Sequence, residues 1–119
     1  MAESGGLGPS NTQLDLTVAL ARVGGQMDLL KEIGQLFLED YPNSLRQIRE
    51  ARDRGDAKLL NSSAHGLKGA VCNFGAPEIV AIAAALERNG RLGDLSDIDE
   101  PIARLEQALA FLHAELEAL

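Results

Sequence analysis

Ile98-Asp99-Glu100-Pro101-Ile102-Ala103-Arg104-Leu105-Glu106-Gln107-Ala108-Leu109-Ala110-Phe111-Leu112-His113-Ala114-Glu115-Leu116-Glu117-Ala118-Leu119 carries the plainest periodicity in the chain. Ile98, Ile102, Leu105, Leu109, Leu112, Leu116 and Leu119 recur every three or four residues. That spacing lays one apolar stripe along an α-helix, because side chains three and four apart share a face. Ser96 with Asp99 predicts a capping-box start for it. A helix with so complete a stripe must bury it against other helices.

Moving outward towards the N-terminus, the partners can be read. Arg91 to Leu95 is expected as a loop. Before it, Pro77 suits the first turn of a helix that buries Ile79, Ala83 and Leu86 and stops at Gly90. Leu60, Ala64, Leu67, Val71 and Phe74 form the buried face of another, capped by Asp56 and ended at Gly75. Leu30, Ile33, Phe37, Tyr41, Leu45 and Ile48 keep one phase across Pro42. An interior proline costs about 3 kcal/mol, so the unbroken phase predicts one long helix, kinked near Tyr41, with Asp28 as N-cap and Gly55 as its end. Leu14, Leu16, Leu20 and Val23 suggest a short helix halted by Gly24-Gly25. Residues 1–12 are rich in Gly, Ser, Pro and Asn and read as a flexible tail before a domain over 13–119. The expected fold is all-α: an antiparallel four-helix bundle with a short additional N-terminal helix lying across it.

Composition agrees. Of 119 residues three are Phe, one is Tyr and none is Trp, and a sandwich or barrel would call for more aromatic and β-branched residues. The length suits one domain with one core. The formal net charge of −7 disfavours nucleic acid and anionic membranes, which reward a concentrated basic patch. Cys72 is the sole cysteine, which rules out an internal disulfide and suits a reducing compartment. The first residues lack the basic and apolar segments of a signal peptide. The apolar run Ile79–Leu86 is too short to span a bilayer. The expectation is a monomeric cytoplasmic protein.

The third helix of the bundle carries the chemistry. Centring a helical wheel on its apolar stripe puts Lys68 at about 80°, Cys72 at about 120°, His65 at about 140° and Gly69 at about 180°. His65 therefore points to solvent, where an imidazole is mostly neutral at pH 7 and nucleophilic towards an activated phosphoryl group. Lys68, one turn on, supplies positive charge for phosphoryl oxygens. Gly69 costs about 0.5–1 kcal/mol in a helix interior relative to Ala. On an outer face packing does not demand it, and it leaves room for another protein to approach His65. A lone exposed histidine is ordinarily just a solvated residue; the surrounding string is what gives this one meaning.

Ala64-His65-Gly66-Leu67-Lys68-Gly69, followed by Phe74-Gly75-Ala76, resembles the pattern of the histidine-containing phosphotransfer domain family. The Leu86-Glu87 and Gly93-Asp94-Leu95 segments fit it too, and the likeness covers roughly residues 14–116. The resemblance implies a phosphorelay intermediate. His65 would be phosphorylated on its outer (Nε2) nitrogen, Lys68 would stabilise the phosphoryl oxygens, and Gly69, with Asn61 and Cys72, would face the docking partner. That partner would be a response-regulator receiver domain, a hybrid sensor histidine kinase, or both. No cofactor is implied: there is no Walker A loop, the domain would be a carrier without kinase activity, and Mg²⁺ would belong to the receiver. Gly66 departs from the commoner Thr, and Ala70 from a frequent small hydroxyl residue.

Other residues weigh less. Cys72 lies about 10.5 Å along the axis from His65, too far for one zinc ion, and no metal site is expected. His113 reads as a surface or boundary residue. Asp97, Asp99 and Glu100 suit the electrostatics of a helix start. Arg46, Arg49 and Arg52 read as a solvated face, with contact to an acidic receiver as the alternative. Two other functions remain open. A non-catalytic adaptor would need neither His65 nor Lys68. A small hydrolase or metal enzyme would need a carboxylate close to His65, and positions 61, 62 and 69 on the same helix are Asn, Ser and Gly.

Overall fold

The computed structural model describes residues 12–119. Five helices follow in order: α1 (Leu16–Arg22), α2 (Met27–Arg54), α3 (Ala57–Val71), α4 (Pro77–Leu92) and α5 (Asp99–Glu117), with a 3₁₀ turn over Cys72–Phe74 after α3. The most extensive packing is α3 along α4, then α2 along α3, with α5 closing the bundle against α2 and α4. Short connections fold successive helices back on one another. The core holds the expected stripes: Leu30, Phe37, Leu45 and Ile48 from α2, Leu60, Leu67 and Val71 from α3, Ile79 and Leu86 from α4, and Ile102, Leu105, Leu109, Leu112 and Leu116 from α5. Each such side chain contributes about 1.5–3 kcal/mol when buried. α2 runs unbroken through Pro42. The ring nitrogen lacks the proton that would bond the Leu38 carbonyl, and the apolar face on both sides of the proline outweighs that loss.

Several boundaries differ from the sequence reading. Asp28 does not cap α2. Gln26 is the N-cap, without a side-chain bond, and Asp28 sits in the first turn, where its charge suits the helix dipole. Ser96 does not cap α5 either. Its hydroxyl donates to Asp94 Oδ1 at 2.6 Å, and Ile98 is the N-cap. α4 does not stop at Gly90 but continues to Leu92, where Gly93 turns left-handed at φ 73°. Phe74 is fully buried from the 3₁₀ turn rather than from α3 itself. In the N-terminal segment Ala19 and Val23 face the core, whereas Leu16 is 41% exposed. Asp56 does cap α3, accepting from the Leu59 amide at 3.0 Å. Gly24, Gly25 and Gly55 end their helices with positive φ as expected.

Leu14 precedes α1 and bridges Gly75 in a strand-like contact. Around it, the Gln13 and Leu14 amides donate to Glu115 Oε1 at 2.8 and 3.0 Å, Gln13 Nε2 donates to Glu78 Oε1 at 2.8 Å, and the Asp15 amide donates to the Phe74 carbonyl at 2.9 Å. The segment entering the bundle is thereby stitched to the turn between α3 and α4. The expected tail, Thr12 aside, lies outside the described residues. No helix among those described is long and apolar enough to cross a membrane.

Candidate functional site

The outer face of α3 is set by its inner face. Leu60, Ala64, Leu67 and Val71 are each at most 1% exposed, so the positions between them turn outward with the 3.6-residue period. His65 accordingly emerges with its side chain 69% exposed. Gly66 and Gly69 adjoin it, and a Cβ added at either would meet nothing within 4 Å. The surface beside the imidazole is open, as the sequence predicts.

A carboxylate completes the site, and it comes from α4. Glu87 Oε2 lies 2.8 Å from His65 Nδ1, and Glu87 Oε1 lies 2.6 Å from Lys68 Nζ. Its side chain is only 16% exposed, against 31% for Lys68. The hydrogen bond from Lys68, followed by that from His65, holds the Glu87 carboxyl below its ordinary pKa, so it is ionised at neutral pH. An ionised carboxylate can only accept, and Nδ1 must therefore carry the proton. In the neutral ring this leaves the lone pair on Nε2, facing solvent.

Two features bring Glu87 there. Gly90, one turn further along α4, is buried, and a Cβ at that position would stand 2.5 Å from the Asn61 amide nitrogen and 2.8 Å from the Ala57 carbonyl oxygen. Glycine thus lets the two backbones touch. Asn61 Nδ2 then donates to the Glu87 carbonyl at 2.9 Å, pinning that residue's backbone to α3. Asn61 is a half-buried interhelical tie. Cys72 is half-buried at the end of α3, where it begins the 3₁₀ turn. The expectation that no carboxylate stands near His65 fails, because the carboxylate comes from a neighbouring helix, 22 residues along the chain. The signal available was Glu87 itself, next to the core residue Leu86 and so on the edge of α4.

The second histidine is built the opposite way. His113 Nδ1 lies 2.7 Å from the Tyr41 hydroxyl and Nε2 lies 3.4 Å from Glu117. A carboxylate beside Nε2 favours the proton there, so Nδ1 accepts from Tyr41 and its lone pair is used within the fold. Burial, aided by the Glu117 charge, raises the Tyr41 pKa and keeps that hydroxyl protonated. His113 ties α5 to α2, in keeping with a boundary residue. The α2 arginines are also occupied: Arg49 pairs with Glu106, and Arg52 with Asp53 at 3.1 Å and Asp99 at 3.6 Å. Among the described residues no group of three or more His, Cys, Asp or Glu side chains could hold a metal ion.

In structure the chain is similar to the histidine-containing phosphotransfer protein B (HptB) of Pseudomonas aeruginosa PAO1, with a TM-score of 0.83 and 27% identity over 92% of this chain and 95% of that one. The HPT domain of an Hpt sensor hybrid histidine kinase from Shewanella shares the fold, with a TM-score of 0.79 at 21% identity over 92% and 94% of the two chains. No curated protein matches. A family model described as the Hpt domain matches residues 32–119. That match spans well over half of the sequence, and the chain belongs to the Hpt domain family.

Proposed function

We propose that this chain is a phosphorelay intermediate that takes a phosphoryl group onto Nε2 of His65 from the aspartate of a receiver domain and passes it to another. Family membership gives the coarser part, a phosphotransfer role in a phosphorelay. The 2.8 Å contact between His65 Nδ1 and the Glu87 carboxylate carries the rest. It directs the nucleophilic lone pair outward on an exposed ring.

In the forward step Nε2 attacks phosphorus while the bond from phosphorus to the aspartyl oxygen breaks, returning an electron pair to that carboxylate. No proton need leave, because Nδ1 keeps its own. The ring becomes cationic as the P–N bond forms, and Glu87 faces that charge directly, a stabilisation greater in the transition state than before it. The Lys68 ammonium has three N–H donors, of which the Glu87 bond uses one, leaving others for the phosphoryl oxygens. Gly69 leaves the approach clear, and Asn61 and Cys72 border it. Mg²⁺ and the acidic pocket belong to the receiver; this chain acts as a monomeric carrier in the cytoplasm, with no kinase activity or cofactor of its own.

Purified protein mixed with a phosphorylated receiver domain should gain acid-labile, base-stable phosphate. ATP alone should give none. His65→Gln should abolish the label without changing the helical fold, since the side chain contributes no burial. Label persisting in that variant would overturn the assignment of His65.

A further inference from the structure

The basic residues of this chain are used in two distinct ways. Those at the C-terminal end of α2 are engaged: Arg46 with Asn43, Arg49 with Glu106, Arg52 with Asp53 and Asp99, and Arg54 with Glu50. The side chains of Lys58 on α3, and of Arg88 and Arg91 on α4, are exposed and have neither a hydrogen bond nor an ion pair among the described residues, as is also true of Arg22, Lys31 and Arg104, which lie away from the α3–α4 seam. Acidic partners are plentiful elsewhere, since the sequence holds eighteen carboxylates against eleven Lys and Arg. Between residues 57 and 92 only two of those acids occur, Glu78 and Glu87, alongside four of the bases. Glu87 is already bonded to Lys68 and His65, and Glu78 lies in the first turn of α4 at the far end of the seam.

The fold gathers these cations beside the site. Gly90 fixes the crossing of α4 over Ala57 and Asn61. Arg91 follows Gly90 directly and lies one turn beyond Glu87 on the outer edge of α4. Lys58 follows Ala57 and lies two turns before His65 on the same face of α3, about 10.5 Å along the axis. Lys58 and Arg91 thus stand on either side of the seam on which His65 and Glu87 meet, with Arg88 beside them. The result is a positive patch on a chain whose net charge is −7.

We propose that Lys58 and Arg91, flanked by Arg88, form the surface on which the receiver domain docks by the side that carries its acidic Mg²⁺ pocket, and that they set encounter rate and orientation rather than chemistry. This rests on the phosphorelay reading above. An unpaired cationic patch beside a reactive centre steers an acidic partner and raises its association rate by tenfold or more at low salt. Lys58 stands two turns from His65 and Arg91 one turn beyond Glu87, so a role in docking alone requires that their effect vanish when the phosphoryl donor has no protein surface.

The test is the double variant Lys58→Glu, Arg91→Glu, assayed with a phosphorylated receiver at about 50 mM and about 300 mM salt, and separately with phosphoramidate as a small phosphoryl donor. The expected result is a loss of about tenfold or more in kcat/KM with the receiver at low salt, a flattened or inverted salt dependence, and labelling by phosphoramidate at the wild-type rate with unchanged helical content. Receiver transfer with wild-type efficiency and salt dependence would overturn the docking surface. Loss of phosphoramidate labelling in a folded variant would also overturn it, by placing these residues in the chemistry. Wild-type protein that neither donor labels would instead overturn the phosphorelay reading itself.

Discussion

Replacing Gly90 with Ala should destabilise the bundle and disable the site together, whereas the same change at Gly69 should stabilise it. Both glycines lie inside helices, and neither has positive φ, so conformational freedom explains neither. On propensity alone each change should gain roughly 0.5–1 kcal/mol. They part on space. At Gly69 the new methyl meets nothing within 4 Å, and the full gain should appear. At Gly90 it would sit 2.5 Å from the Asn61 nitrogen and 2.8 Å from both the Asn61 Cα and the Ala57 oxygen. These are backbone atoms that no rotamer change can move. Restoring ordinary contact requires α3 and α4 to part by roughly 1 Å along the most extensive interface in the bundle. Overpacking of this kind costs about 1–3 kcal/mol or more, and against backbone it belongs at the upper end. After the propensity gain, a net loss of about 2 kcal/mol remains, or roughly 8–16 °C in Tm for a domain near 100 residues. The same separation draws Glu87 away from His65. Thermal melts of both variants, with phosphotransfer measured on the same preparations, provide the assay. Gly90→Ala melting at or above the wild type would refute this account of how α4 delivers Glu87. A Gly69→Ala variant that melts lower would refute the open surface.

Lys68→Ala should slow single-turnover transfer more than it weakens receiver binding, by about 1–3 kcal/mol in the barrier; unchanged rates would make Lys68 an ordinary surface lysine. Because the folded-state pKa of Glu87 is lowered by Lys68 and His65, its contribution to stability is present above the unfolded carboxyl pKa and is lost as pH falls through the folded one. Urea denaturation should therefore show wild type losing more stability between neutral and acidic pH than Glu87→Gln, and parallel pH dependences would contradict the network. Tyr41 is the only tyrosine, so absorbance of ionised tyrosine reads it directly. Its midpoint should lie above the ordinary value of 10.0, and a midpoint at or below that value would dissolve the proposed tie to His113.

What the sequence by itself determined follows from local geometry. A period of 3.6 residues places Leu60, Leu67 and Val71 inward and so turns His65 and Gly69 outward, whatever the rest of the chain does. Gly55 and Asp56 mark a helix end and a helix start by their own backbone and capping chemistry, and both were legible. Phosphotransfer function was legible too, through the His65–Lys68–Gly69 string.

Only the tertiary structure decided what His65 touches. Glu87 is 22 residues away on another helix, and its distance from the imidazole depends on how closely α4 approaches α3. That approach depends on the side chain Gly90 lacks. A glycine can end a helix or admit a neighbouring backbone, since both uses exploit a missing Cβ, and one sequence read alone does not separate them. Read as a stop, Gly90 leaves Glu87, one turn before it, without a place in the site. Caps also depend on local competition: Asp28 lies inside the first turn of α2 rather than before it, and the Ser96 hydroxyl bonds Asp94 instead of the start of α5. The cations of α2 and those of the α3–α4 seam likewise look alike in sequence. Packing against α5 supplied Glu106 to Arg49 and Asp99 to Arg52 and left Lys58, Arg88 and Arg91 without acids, because pairing across helices depends on which of them come to lie side by side.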